Sequence, residues 1–260
     1  MYRRLLVLML LVLPGLVYAQ KWKLTRYEAS AGIGFVNYFG DVGGSASADN
    51  LFGLKDLSIL STRPSFVAMA RYKVAQDMAV KLHLGFLWMS GNDKGSLNGN
   101  LGRNYSFNTI GFEHTIQFEY SFLAEDRRSF SFALFNRRGM INNYSKMSAY
   151  LFAGIGGLAY KPYFKGELKT TFDKLDGGFH YAPVGAGGVG VKYIIDNYLS
   201  LGLEFGGRYL FADNIEGISK VEPDKAHVNL ANDIYYFGNI SIIYRIKTSR
   251  QGYPILFRKY

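Results

Sequence analysis

The amino-acid sequence predicts an all-β chain: a transmembrane antiparallel up-and-down β-barrel of about eight strands. Three observations predict it. Eight segments alternate between apolar and polar residues, the period of a pleated strand. After residue 19, no apolar run approaches the roughly 17–25 residues that a spanning helix needs. The apolar faces end in aromatics, drawn from 20 Tyr and 20 Phe, while the opposite faces hold Gly, Ser and charges. A water-soluble barrel or sandwich inverts this pattern, with its apolar face inside and its polar face in water. Gly and Ser suit a narrow lumen better than a solvated surface, and aromatic ends suit lipid headgroups.

Residues 1–19 read as a cleaved secretory signal peptide. Tyr2-Arg3-Arg4 is followed by the apolar run 5–13, then Pro14-Gly15, then Val17-Tyr18-Ala19 before Gln20. The run is short for a membrane anchor, and Pro14-Gly15 breaks it. Residues 20–246 are expected to form the barrel and 247–260 a basic periplasmic tail. The chain has no Cys, which excludes a disulfide framework, a thiol nucleophile and Cys-ligated zinc. The formal charge of +10 calls for an acidic partner, and export makes nucleic acid a poor one.

The strands follow in order. In the first, Tyr27, Ala29, Ala31, Ile33 and Phe35 oppose Glu28, Ser30, Gly32 and Gly34. In the second, Phe66, Ala68, Ala70 and Tyr72 oppose Ser65, Val67, Met69 and Arg71. In the third, Val80, Leu82, Leu84, Phe86 and Trp88 oppose Lys81, His83, Gly85, Leu87 and Met89. The fourth sets Ile110, Phe112, Ile116, Phe118, Tyr120 and Phe122 against Gly111, Glu113, Thr115, Gln117, Glu119 and Ser121. The fifth, 149–160, is apolar on both sides, so its facing is ambiguous. The sixth, 184–194, sets Val189, Val191 and Tyr193 against Gly188, Gly190 and Lys192. The seventh sets Leu199, Leu201, Leu203, Phe205 and Tyr209 against Ser200, Gly202, Glu204, Gly206 and Arg208. The last sets Ile234, Tyr236, Ile240, Ile242, Tyr244 and Ile246 against Asn239, Ser241 and Arg245.

Eight strands give a barrel of OmpA/OmpX size, whose interior side chains largely fill the lumen. The lumen set then comprises Glu28, Glu113, Glu119 and Glu204 with Arg71, Lys81, Lys192, Arg208 and Arg245. Away from water these charges need one another, since an unpaired one costs several kcal/mol. A structural salt-bridge network is the expectation, ahead of a proton path or selectivity filter.

With the N-terminus in the periplasm, the outer connections are 41–63, 90–104, 161–180 and 212–233. The inner side has tight turns at 74–77 and 196–197 and one long connection, 123–146. Long outside and short inside is the usual arrangement. On this topology twelve basic residues, among them Arg127, Arg128, Arg137, Arg138, Lys247, Arg250, Arg258 and Lys259, lie on the periplasmic face. Four acidic residues, Asp77, Glu125, Asp126 and Asp196, oppose them, a net of +8. Anionic lipid headgroups or a periplasmic partner fit that surface equally well by charge.

A series of ordered motifs adds a resemblance. Asn37-Tyr38-Phe39-Gly40-Asp41-Val42-Gly43-Gly44-Ser45 closes the first strand, Thr62-Arg63-Pro64 opens the second, and Ser90-Gly91-Asn92-Asp93 closes the third. Asn104-Tyr105-Ser106-Phe107, Tyr150-Leu151-Phe152-Ala153-Gly154-Ile155-Gly156 and Gly188-Val189-Gly190-Val191-Lys192-Tyr193 continue it, and the segment from Ser200 to Arg208 completes it. Together they resemble the PorG-type outer-membrane barrels of the type IX (Por/gliding) secretion system of Bacteroidetes. The resemblance implies a non-catalytic component that ties a periplasmic lipoprotein ring, of PorK- and PorN-type subunits, to the outer membrane. It also implies a contact with the motor complex and no cofactor.

Other chemistry is weaker. A small solute channel, an outward-facing ligand or adhesin barrel, and a surface hydrolase are the alternatives. His180 and His227 fall in outer connections with several Asp, and His83 and His114 in strands, but no nucleophile or metal motif surrounds them. Asp213, Glu216, Glu222, Asp224 and Asp233 match no calcium loop. The stretch Gly185-Ala186-Gly187-Gly188-Val189-Gly190 precedes no helix, so a dinucleotide fingerprint is not expected; close packing is.

Overall fold

The computed structural model describes residues 25–39, 61–92, 105–125, 146–166, 177–212, 215, 233–249 and 253–255. Eight strands appear: β1 (Tyr27–Phe39), β2 (Arg63–Lys73), β3 (Met78–Asn92), β4 (Tyr105–Leu123), β5 (Met147–Gly166), β6 (His180–Ile194), β7 (Leu199–Leu210) and β8 (Ile234–Ile246). Each pairs antiparallel with its neighbours, and β1 closes on β8 from Tyr27↔Ile246 to Phe39↔Ile234. Closure leaves no unpaired edge, the condition for strands in lipid.

The alternation sorts the residues as an outer-membrane barrel does. Ile33, Ile116, Ile155, Ile240 and Ile242 point outward, with Ile155 75% exposed, whereas Lys81, Glu113 and Arg208 are buried inside. A protein in water cannot adopt this inside-out distribution without a covering for its apolar wall. Aromatics gather at both ends of that wall. The inner rim is mostly Tyr, including Tyr27, Tyr72, Tyr120, Tyr193 and Tyr244, and the rings of Tyr27 and Tyr72 lie 5.1 Å apart. The outer rim carries Phe66, Phe86, Trp88, Phe205 and Tyr236, with Phe205 stacked on Tyr236 at 6.0 Å.

The ambiguous fifth strand is resolved by its neighbours. Tyr150 and Phe152 point inward, opposite Gly190 and Gly188 of β6, and Gly188 in turn faces Gly206 of β7. A Cβ at Gly190 would stand 2.4 Å from Tyr150 Cζ, and one at Gly188 2.6 Å from Phe152 Cζ. The glycines therefore recess one wall so that two large rings from β5 fit in a narrow lumen. Leu151, Ala153 and Ile155 face outward between them.

Three boundaries differ from the sequence reading. β5 runs on to Gly166, so Lys161 and Lys165 are strand residues and not part of an outer loop. Among the described residues the ladder to β6 ends at Tyr160↔His180, short of Pro162, which has no N–H to give a ladder. Ser90–Asn92 continue β3, and β6 begins at His180. At the inner end of β4 the register skips Phe122 between Ser121 and Leu123, a bulge that re-aims the chain leaving the strand.

The inner turns are tight. Val74 and Ala75 both donate to the Met78 carbonyl, and Ile195 and Asp196 to that of Leu199. After β8, Thr248 is bridged to Pro254 and Ile255 N donates to Lys247 O at 2.8 Å.

Candidate functional site

The interior is layered. Toward the inner end lies a charged cluster, and toward the outer end an apolar plug.

Glu28 of β1 sits between Arg71 and Arg245, its cross-strand neighbours on β2 and β8. Its carboxylate accepts from Arg71 (3.0 Å) and, from across the lumen, Lys192 of β6 (2.9 Å). Arg71 also reaches Glu119 of β4 at 2.7 Å and donates to the Tyr150 hydroxyl at 3.0 Å. Lys81 of β3 bridges Glu119 (2.9 Å) and Glu204 of β7 (2.6 Å), and Tyr150 donates to the same Glu204 oxygen at 2.6 Å. One layer outward, Arg208 of β7 meets Glu113 of β4 at 3.0 Å. Glu113 also accepts from the Tyr235 hydroxyl (2.7 Å) and lies 3.4 Å from His83 Nδ1. The nine lumen residues named from strand parity are thus all buried and all engaged, in chains that link opposite walls.

Two members were missed. Lys73 continues the inward parity of β2 past Arg71 and lies 3.0 Å from Glu28. Glu125, placed by the sequence reading on the periplasmic face, is instead 4% exposed. Past the Phe122 bulge the chain turns over the inner mouth, and Glu125 pairs with Lys73, Lys192 (2.7 Å) and Arg245. Parity foretells Lys73; only the bulge and the fold-back bring in Glu125, and neither has a sequence signature here. The network then holds five carboxylates and six Arg or Lys, a near balance that the low-dielectric interior requires. A cavity of about 20 Å³ remains beside Lys73 and Glu125, room for about one water.

The outer half is packed with Tyr38, Val67, Leu87, Met89, Phe107, Leu158, Tyr160 and Phe237. Ile215, from the connection after β7, inserts into this plug and is fully buried. Its backbone N donates to Asp233 Oδ2 (3.1 Å), its carbonyl accepts from Thr109 (2.8 Å), and Tyr38 donates to Asp233 Oδ1 (2.6 Å). Asp233, weighed as a calcium ligand, thus ties down a loop residue.

The remaining sequence candidates are scattered. Lys247 lies at the inner end, its ammonium 4.7 Å from the Tyr198 ring. Arg127, Arg128, Arg137, Arg138, Arg250, Arg258, Lys259 and His227 lie outside the described residues, as does the signal segment. His180 opens β6 against the ring of Tyr160. His114, an interruption of the apolar wall, faces out with Nε2 3.2 Å from the Tyr181 hydroxyl, over the bare surface of Gly157. Among the described residues no cluster of three potential metal ligands occurs.

A family model described as a domain of unknown function, DUF6089, matches residues 3–250. This chain belongs to that family. No curated protein matches the DUF6089 chain. Among solved structures it is similar to neisserial surface protein A, at 10% identity and a TM-score of 0.41, covering 84% of this chain and 96% of that one. It is similar to the N-terminal β-barrel domain of Pseudomonas aeruginosa OprF at 10% identity and 0.41, covering 84% and 98%. It is also similar to Escherichia coli outer membrane protein W at 15% identity and 0.39, covering 85% and 97%. The fold itself rests on the chain's own closed ladder and inside-out surface.

Proposed function

We propose that this DUF6089 barrel is a non-catalytic outer-membrane scaffold of the type IX protein secretion system, docking a periplasmic lipoprotein ring of PorK- and PorN-type subunits. The observation that carries the reading is the filled interior. Ion pairs bridge opposite walls toward the inner end and an apolar plug occupies the outer end, so the barrel's work falls to its ends and its outer wall. The inner end is where the sequence gathers its basic excess, and the ordered motifs give the type of partner. Electrostatic complementarity would steer an acidic ring surface onto that face. The motor complex is a further periplasmic contact, and nucleic acid has no part.

The test is substitution of Arg127, Arg128, Arg137 and Arg138 by Glu in the full chain. The barrel should insert and keep its heat-dependent shift in gel mobility, while ring subunits are lost from a detergent pull-down of envelope membranes. Unchanged co-purification refutes charge-driven docking. Planar bilayers separate the scaffold from a small channel: a steady, large single-channel conductance contradicts a filled lumen.

A further inference from the structure

The outward face of β2–β5 changes character at its outer rim. Arg63, Pro64, Trp88, Asn108, Ile110, Tyr163 and Lys165 line a groove of about 530 Å³. Lys161 stands beside it, opposite Ile110 on the ladder, with its ammonium 5.7 Å from the Tyr163 ring. The floor is apolar and aromatic, and the margins are cationic: Arg63 on β2, and Lys161 and Lys165 on β5. All three cations are exposed. With its amide oriented to donate to the Phe107 carbonyl (3.0 Å), Asn108 accepts from Lys165 Nζ at 2.9 Å, which holds that ammonium over the groove.

Height decides what meets this surface. Ile110 lies ten residues above Tyr120 of the inner rim on β4. At about 3.4 Å per residue and a tilt of about 40°, that is roughly 26 Å, the full height of an apolar band of about 25 Å. The groove floor therefore emerges from the hydrocarbon where outer-leaflet headgroups begin, and the cations stand at headgroup level. Wider spacing is also informative. β2 and β5 are three strand separations apart, roughly 14 Å. One phosphate on Arg63 would leave Lys161 and Lys165 unmatched, so a headgroup carrying two separated phosphates on a sugar framework fits the margins. Trp88 and Tyr163 give the groove an aromatic lining for that framework, and Phe66, Phe86 and Phe112 line the wall below, where acyl chains run.

We propose that this groove is a binding site for a bisphosphorylated, multiply acylated glycolipid of the outer leaflet. It is independent of ring docking, which would use the opposite end.

The test is native mass spectrometry of the full processed protein in detergent with bisphosphorylated lipid A, monophosphoryl lipid A and phosphatidylglycerol as probes. One lipid A per barrel should bind the unaltered protein. The Arg63→Gln/Lys161→Gln/Lys165→Gln variant should bind about a hundredfold more weakly, each cation at a headgroup surface contributing roughly fivefold. Lys161→Gln/Lys165→Gln alone, which leaves β2 untouched, should weaken it on the order of twentyfold. Lys146→Gln, at the inner end, should change nothing, and the heat-dependent gel shift reports that every variant is folded. Undiminished binding by the triple variant overturns the proposal. So does equal binding of phosphatidylglycerol, or displacement of lipid A by millimolar inorganic phosphate.

Discussion

The Arg208–Glu113 pair offers a sharp test of a dry, filled lumen. Both side chains are fully buried, 3.0 Å apart, on opposite walls. Arg208 lies between the rings of Phe152 and Phe237, its guanidinium carbon 5.7 and 5.2 Å from their centres. Glu113→Gln removes the charge that neutralises it, while a Gln amide oxygen can still accept from Tyr235. Stranding a buried cation costs about 3–5 kcal/mol, some two to four decades in the folded-to-unfolded ratio. Arg208→Met should cost less, because Glu113 keeps the Tyr235 hydroxyl at 2.7 Å and His83 beside it. The double variant Glu113→Gln/Arg208→Met should lie within roughly 1 kcal/mol of the parent, since it buries no charge. Urea titration of the barrel in lipid vesicles, read by gel mobility, supplies the four stabilities. If each single variant costs under about 1 kcal/mol and the two effects add, water screens the pair. The lumen would then be wet, and the filled-barrel reasoning would fail.

Two other outcomes follow from the same packing. Gly190→Ala should destabilise the barrel by about 1–3 kcal/mol by driving Tyr150 off Arg71 and Glu204; Tyr150→Leu in the same chain should recover part of the loss, whereas Tyr150→Phe should not, because the clash involves the ring. Asp233→Ala should remove the carboxylate that accepts from both the Tyr38 hydroxyl and the Ile215 amide, at about 1–3 kcal/mol. Hydrogen exchange should then quicken at Ile215 and stay slow at Ile243 of β8.

Much of this architecture is legible from residue order because a membrane barrel has only two environments, and strand parity chooses between them. Glu28, Arg71 and Glu204 are inward for the same reason that Ile33, Tyr72 and Phe205 are outward. Parity fails where both environments accept the same side chain. In β5, Tyr150 and Phe152 could have faced lipid; what sends them inward is Gly190 and Gly188, some forty residues away, whose missing side chains make the space. His114 looks out of place until Tyr181 and Gly157 are beside it. Strand ends are less legible again: Lys161–Lys165 resembles loop chemistry and continues as strand because β4 still offers hydrogen bonds. Glu125 marks the limit, since its burial depends on a bulge and on cations from three other strands.

Glu125 and Glu28 also bear on how the barrel assembles. Glu28 on β1 is held by β2, β6 and β8, and Glu125 after β4 by β2, β6 and β8 as well. Until the last hairpin arrives, Arg245 is missing from both carboxylates and β1 has no second neighbour. A chain stopped after β7 would keep Lys73 and Lys192 on both carboxylates, yet its charged interior would be a polar furrow open to lipid along its length. Completion is therefore all-or-none: no half-cylinder of this sequence has an interior that a bilayer can tolerate.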